Sequence, residues 1–451
     1  MTNLTRLSVW IFLLVFKLYS AFPTFAVKSD STIHFDLSVR YRFEVWDGMN
    51  ARYYGHGDAS VIGKPDDKIV YQRFISGLTW IPSEQITIAA HLQDSRAFGW
   101  SLRNSRYPEI FRVGGSGNAM TSYRMNPGEE YLEIYDLFIE YRQLFPGITA
   151  KLGRQKIFFG DNHVFGQGDW GNTGRWTWDA LRLIWKKGEH SVDLFGGGTK
   201  IHDPQKLAVP FTETEYWGGG FYGHFELKNN FAVEPFYALK MQGSADYIKI
   251  QDINRNWLGL RMHYQPKGGL ILDGTIIRQF GRQNGNPVGA WGAFAKTGCQ
   301  FRSLWGKPVV SVRESYATGG KVQDDVIRTF DPAYGASDKY YGWMNIVSWS
   351  NLDNREINLE LFPLQEMWVE IKFNRYLIPE PKGTKILGTL KLLEDQQHLG
   401  DEYNLFVRWQ RNHHWQWVGV LGYFRPGKVQ PIWNKPAKSA TWLTLQVLFM
   451  L

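Results

Sequence analysis

One cysteine, Cys299, stands in 451 residues, which excludes an internal disulfide framework. No Cys-x-x-Cys and no paired-histidine spacing accompanies it, so we expect neither a metal nor a cofactor. Cys299 alternates with apolar neighbours and reads as a small wall residue. Beyond residue 26 no apolar stretch approaches the roughly 18 residues that a spanning helix needs. There is no Gly-x-Ser-x-Gly elbow. The glycines at 160, 166, 168, 171 and 174 lack the Gly-Lys-Ser/Thr ending of a phosphate-cradling loop. No composition shift, Pro/Gly/Ser linker or internal repeat divides a chain whose length ordinarily suggests two or three domains. Strong charge of one sign is missing too: the formal net charge is +8, or +6 once Arg6 and Lys17 are set aside with the N-terminal segment. So mild an excess does not point to nucleic acid.

What the chain has in quantity is aromatics, 16% of residues with 20 Trp, 22 Tyr and 29 Phe, beside 46 Gly. Its mean hydropathy is nevertheless only −0.34. The stretch "STIHFDLSVRYRFEVWD" (31–47) shows how both hold at once. Every second residue from Ile33 is apolar, whereas the set from His34 reads His, Asp, Ser, Arg, Arg, Glu. Such a strand suits a sheet over a soluble core, or a barrel with lipid outside and water inside. The alternation recurs, for example at 85–93, 138–142, 180–186, 230–240, 256–264, 293–302, 357–362, 368–374, 403–409 and 441–449. About eighteen segments of ~9–12 residues result, the length and even number of a single-chain bacterial barrel.

The connections separate the two alternatives. Short turns at 81–85, 145–148, 186–190, 228–230, 265–269, 305–308, 362–365 and 411–415 alternate with longer connections. The longer set spans about 47–68, 98–129, 159–176, 200–214, 242–254, 282–288, 318–352, 379–401 and 426–438. A membrane barrel puts short turns in the periplasm and long loops outside the cell, while a soluble sandwich has no reason to sort loops by parity. The expected fold is therefore all-β: a transmembrane, antiparallel, up-and-down β-barrel of about 18 strands. The last segment, "ATWLTLQVLFML", must pair with the first to remove both sheet edges. Residues 1–26 read as a secretory signal peptide, with Arg6, then "LSVWIFLLVF", then small residues before a cut after Ala26. That leaves 27–451 as one barrel domain in the bacterial outer membrane.

With apolar positions facing out, the basic residues Arg40, Arg42, Arg73, Lys151, Arg182, Arg302, Arg313, Lys372 and Arg408 face the interior. On the lipid face an Arg or Lys would cost ~2–4 kcal/mol at the midplane. Interior acids such as Asp36, Glu44, Glu140, Glu234, Asp273, Glu360 and Glu370 accompany them. Functionally, the basic set would attract an anionic solute along a wet bore; structurally, it would pair with the acids across the lumen.

At "KLGRQKIFFGDNHVFGQGDWGNTGRWTWDALRLIW" (151–185) the sequence resembles the alginate-export family of outer-membrane barrels. The matching residues are Gly153, Arg154, Gln155, Gly160, Asp161, Asp169, Trp170, Asn172, Arg175 and Asp179. A second match is "TFDPAYGASDKYYGWMN" (329–345), with Phe330, Asp331 and Pro332, and a third is "GYFRPG" (422–427). Departures are Asn162-His163 after the Gly-Asp, where a basic residue is common, and Trp178-Asp179-Ala180 for Phe-Asp-Gly. The resemblance implies passive passage of an acidic saccharide, a polyuronate, outward. It also implies a long periplasmic gating loop, for which these short turns offer no candidate. From the residues themselves, Asp161, Asp169, Arg175 and Asp179 are expected to pair within a loop folded toward the pore, among Trp170, Trp176 and Trp178.

Other readings differ in kind. A general nutrient-uptake porin shares the barrel, and a surface adhesin or structural barrel would use the long loops. An outer-membrane lipase needs a nucleophile with His and an acid, and no such pattern stands out, so the chain reads as no enzyme. His413-His414 and the acidic pairs Asp66-Asp67 and Asp324-Asp325 read as solvated turn and loop residues. Expected partners are an anionic or neutral saccharide, outer-membrane lipid and periplasmic secretion proteins, with the barrel itself a monomer.

Overall fold

The structure is a computed structural model and describes residues 32–48, 66–99, 112–113, 123–124, 128–166, 168–204, 206–227, 230–243, 252–266, 269–321, 324–335, 340–381, 396–427 and 439–451. The expected signal peptide lies outside the described residues, as does much of several long loops. The first strands are β1 (Thr32–Asp47), β2 (Asp67–Ser83) and β3 (Ile86–Phe98), followed by a two-residue ladder of β4 (Arg112–Val113) with β5 (Tyr123–Arg124). Next come β6 (Glu130–Phe145), β7 (Ile148–Lys156), β8 (Thr177–Lys187), β9 (His190–Thr199), β10 (Tyr216–Glu226), β11 (Phe231–Gln242) and β12 (Ile253–Tyr264). The series continues with β13 (Leu270–Gln283), β14 (Asn286–Gln300), β15 (Val309–Ala317), β16 (Leu352–Leu361) and β17 (Met367–Leu377). It ends with β18 (His398–Gln410), β19 (Trp415–Pro426) and β20 (Ala440–Met450).

All but β4 and β5 join one 18-stranded sheet in which each strand pairs antiparallel with its sequence neighbour. β20 pairs with β1, Leu445 opposite Phe43, so the sheet closes and no edge is left. Closure is what allows strands into lipid, because every backbone donor finds an acceptor on a neighbour. The seam is also tied on its inner side: the indoles of Trp46 and Trp442 both donate to one oxygen of Glu44, at 2.7 and 3.1 Å.

Exposure follows the two-residue rhythm. Ile33, Phe35 and Phe43 are exposed on the outer face of β1, while Arg40, Arg42 and Glu44 are buried inside. The parity of connections also holds, with short turns such as 84–85, 146–147 and 188–189 on one side. One expected long connection, 282–288, is instead a two-residue turn. Asn284 and Gly285 take φ of 51° and 79°, the backbone of a type I′ hairpin, which lets β13 and β14 run on past the wall. Arg302 is a second correction. It lies beyond the end of β14, exposed in the 301–308 turn and hydrogen-bonded to Gln300 at 3.2 Å, so it does not line the bore. The alternation ends at Gln300, and the turn carries Arg302 into water.

Candidate functional site: a loop-bridged bore

Two long connections turn inward and fill the middle of the barrel. The first runs from β7 to β8, residues 157–176. Gly160 at φ +56° begins the turn, and a Cβ there would overlap the Tyr222 hydroxyl, so only glycine lets the chain pass that wall. Phe159 stacks on Tyr222 at 4.8 Å and Phe165 packs edge-on against Phe195 at 5.6 Å. Asp161 reaches Arg261 of β12 at 3.6 Å and His163 at 2.7 Å. Burial alone would raise the Asp161 pKa, but His163 and the Arg261 guanidinium outweigh it and hold the carboxyl well below its usual range.

The far end of this loop meets the opposite wall. Arg40 donates to the carbonyls of Asp169 (3.2 Å) and Gly171 (2.8 Å) and to the side-chain oxygen of Asn172 (3.1 Å). Arg42 donates to the Trp170 carbonyl at 2.6 Å, and Arg73 to the Asp169 carbonyl at 3.3 Å. Asn172 in turn donates to the carbonyls of Gln72 and Arg96 on β2 and β3. The loop therefore crosses the bore from β12 to β1.

The described residues of the second connection, between β15 and β16, pack against the first. Phe165 and Tyr334 form a parallel bridge between the loops, and the Gly166 amide donates to the Tyr334 carbonyl at 2.9 Å. Lys240 and the Trp257 indole donate to the carbonyls of Ala333 and Asp331, each at 2.6 Å. Further along, the Trp343 indole donates to Glu370 at 2.6 Å and stacks on Phe406 at 4.2 Å. The Met344 amide donates to Glu402 at 2.9 Å. Together the loops bring rings, carbonyls and ion pairs into one layer across the lumen.

The alginate-export family model matches residues 31–430. The chain belongs to that family. Solved structures of similar fold include OccAB3 of Acinetobacter baumannii, 10% identical with a TM-score of 0.60, covering 94% of this chain and 99% of the other. OccK9 (OpdG) of Pseudomonas aeruginosa is 9% identical with a TM-score of 0.60 and the same coverage. No curated protein matches the sequence. This member of the alginate-export family is an outer-membrane protein of channel type.

Among the expected bore residues, the structure groups some and separates others. Arg40, Arg42 and Arg73 form one clamp on the loop. Lys151 and Arg182 lie side by side on β7 and β8, with Glu140 at 3.9 Å from the first and Asp193 at 2.6 Å from the second. Arg313 and Lys372 converge on Glu356 at 3.4 and 3.9 Å. Arg408 sits apart near the short-turn end, over the ring of Trp368 at 5.0 Å.

The family-motif residues divide similarly. Asp161, Asp169, Trp170 and Asn172 occupy the inward loop without pairing with one another: Asp161 meets His163 of the same loop and then Arg261, and the other three are held by residues of the strands. Asp169 meets Lys156, and Arg175 meets Glu215 at 2.9 Å, while burial of Asp169 opposes the lowering of its pKa by Lys156 and Arg73. Phe330 packs on Trp349 at 5.1 Å, Asp331 faces Lys240 at 3.4 Å, and Pro332 accepts from the Gly335 amide. Gln155 turns inward opposite Trp178, and Gly153, at φ +126°, is where a Cβ would overlap the Leu137 carbonyl.

Arg154 and Asp179 behave otherwise. They oppose one another with the parity of the exposed Leu152 and Leu181, on the outer face of the wall. Both are fully buried, because residues 207–211 fold down over them. Arg154 makes a two-pronged pair with Asp179 (2.7 and 2.9 Å) and also reaches Glu133 at 3.1 Å. The expectation that Asp179 pairs within the pore loop is thus corrected: its partner is on β7, under a strap outside the barrel.

Three histidines of the bore, His91, His224 and His263, escaped sequence reasoning. His91 is held between Asp136 (2.6 Å) and Asp36 (2.9 Å). On β10, β11 and β12, His224, Glu234 and His263 bring three donor atoms within 4.8 Å of one another, a set able to hold a metal ion. No sequence spacing announced it. The three are brought together by register across adjacent strands, and the only signal was that each has the inward parity.

Proposed function

We propose that this alginate-export barrel passes a hydrophilic, acidic saccharide, a polyuronate, outward across the outer membrane by passive diffusion, with the two inward loops as its constriction. Residues 1–26 are removed on the way to the membrane. The observation that carries the reading is the pairing of cations with aromatic faces in the loop layer. Arg42 lies over Tyr71 and Trp170, each at 5.1 Å, Arg313 over Phe294 at 5.4 Å, and Lys372 over Trp343 at 5.6 Å. A uronate offers a carboxylate to the cation and a C–H face to the ring, so such pairs suit it twice over. Membership of the alginate-export family supports the same solute class.

A general nutrient-uptake porin is the second reading, and the acids favour it. Arg182, Arg313 and Lys372 each face a carboxylate, which weakens the field that an anion would meet. Planar-bilayer recording separates the two. Under a salt gradient the reversal potential should show anion preference, and polyuronate should reduce the small-ion current far more than neutral dextran of equal length. Cation preference together with equal block by both polymers would overturn the polyuronate reading.

A further inference from the structure

We propose that the outer wall across β15–β19 carries a binding site for a phosphorylated, acylated glycolipid of the outer leaflet. One transverse row of outward residues, set by register, runs Glu314, Arg355, Arg375, Asp401, Arg425. All five lie at the long-loop ends of their strands, the level of the outer-leaflet head groups. Directly below runs a second row, Val312, Ile357, Phe373, Tyr403, Tyr423, in the same registers. Beneath the arginines a depression of about 370 Å³ opens between Ile357, Ile371, Phe373, Tyr403, Leu421 and Tyr423.

The charges are layered. Asp401 is fully buried and accepts from Arg375 at 2.9 Å and from Arg425 at 3.1 Å. Arg355 meets Asp353 at 3.0 Å and Glu314 at 3.9 Å. The side chains of Arg355, Arg375 and Arg425 keep 57%, 48% and 60% of their surface, against 13% for Asp353 and none for Asp401. The acids, Glu314 at the margin excepted, therefore fix the guanidiniums from beneath and leave N–H groups turned outward. A guanidinium has five donors and matches phosphate geometry. Phosphate above an apolar groove with an aromatic edge is the chemistry of an acylated phosphoglycolipid, and a soluble anion would leave the groove unused. The site stands apart from the bore and does not depend on which solute the bore passes.

The test is native mass spectrometry of the full-length protein in detergent, titrated with bisphosphorylated lipid A, dephosphorylated lipid A and dioleoylphosphatidylglycerol. We expect bisphosphorylated lipid A to be retained about tenfold more tightly than either other lipid. Arg355→Gln/Arg375→Gln/Arg425→Gln should erase that preference while the barrel keeps its folded, heat-modifiable gel mobility and its conductance. If that variant does not fold, Ile371→Trp/Leu421→Trp keeps every charge, fills the groove and should lower retention by about tenfold. Equal retention of the two forms of lipid A overturns the proposal. So does phosphatidylglycerol bound as tightly as lipid A, or retention unchanged in a folded groove variant.

Discussion

Arg154 shows how far a single residue can depart from its strand's rhythm. Its position on β7 points it at lipid, where an unshielded guanidinium costs ~2–4 kcal/mol at the midplane and less toward the long-loop end at which Arg154 lies. Asp179 and Glu133 balance its charge, and residues 207–211 exclude the bilayer, so the group is paired and covered. Removing Arg154 leaves two buried carboxylates without their cation, and removing Asp179 leaves the buried Arg154 with Glu133 alone. Arg154→Ala or Asp179→Ala is therefore expected to destabilise the barrel by about 3–5 kcal/mol, measured as an earlier midpoint in urea unfolding from detergent. The triple variant Arg154→Met/Asp179→Leu/Glu133→Gln, which leaves none of the three buried charges behind, should recover much of that loss. The bore arginines make the opposite case. Arg40 and Arg42 hold loop carbonyls, so replacing them with alanine should leave the barrel folded while raising single-channel conductance as the loop end is released.

The loop from β7 to β8 is the element on which the bore depends. It hangs between Asp161–Arg261 at one wall and the Arg40–Arg42–Arg73 clamp at the other. Because Asp161 ionises more readily in the fold than in the unfolded chain, its contribution is complete above about pH 4 and is lost only as pH falls through its depressed folded value. Conductance set by this loop should thus stay flat between pH 7 and pH 4, whereas Asp161→Asn should change it at neutral pH. Gly335 sits where the two loops cross, and a Cβ there would overlap the His163 carbonyl oxygen. Gly335→Val should push the loops apart and broaden the distribution of single-channel currents without lowering the yield of folded barrel. The loop's composition was informative beforehand, since its glycines and tryptophans promised a folded segment. Its partners were not, because Arg261 lies about a hundred residues away in sequence and is brought near by closure.

At the scale of the whole molecule, closure is the dominant fact. Deleting 440–451 would strip the partner from both β1 and β19 and expose two edges to lipid, at several kcal/mol for each unpaired backbone group. No folded, heat-modifiable species should form from that deletion, whereas removing the exposed Arg302 by Arg302→Ala should change neither folding nor selectivity.

The alternation from Ile33 and the parity of loop lengths determined the barrel, its strand number and which face meets lipid. Those features are local, because side-chain direction repeats every two residues whatever the rest of the chain does. The clamp of Arg40, Arg42 and Arg73 on a distant loop, the strap over Arg154–Asp179, and the meeting of His224, Glu234 and His263 were decided only by tertiary structure. Each depends on register between strands or on a loop choosing the inner or outer wall, and neither leaves a period in the sequence.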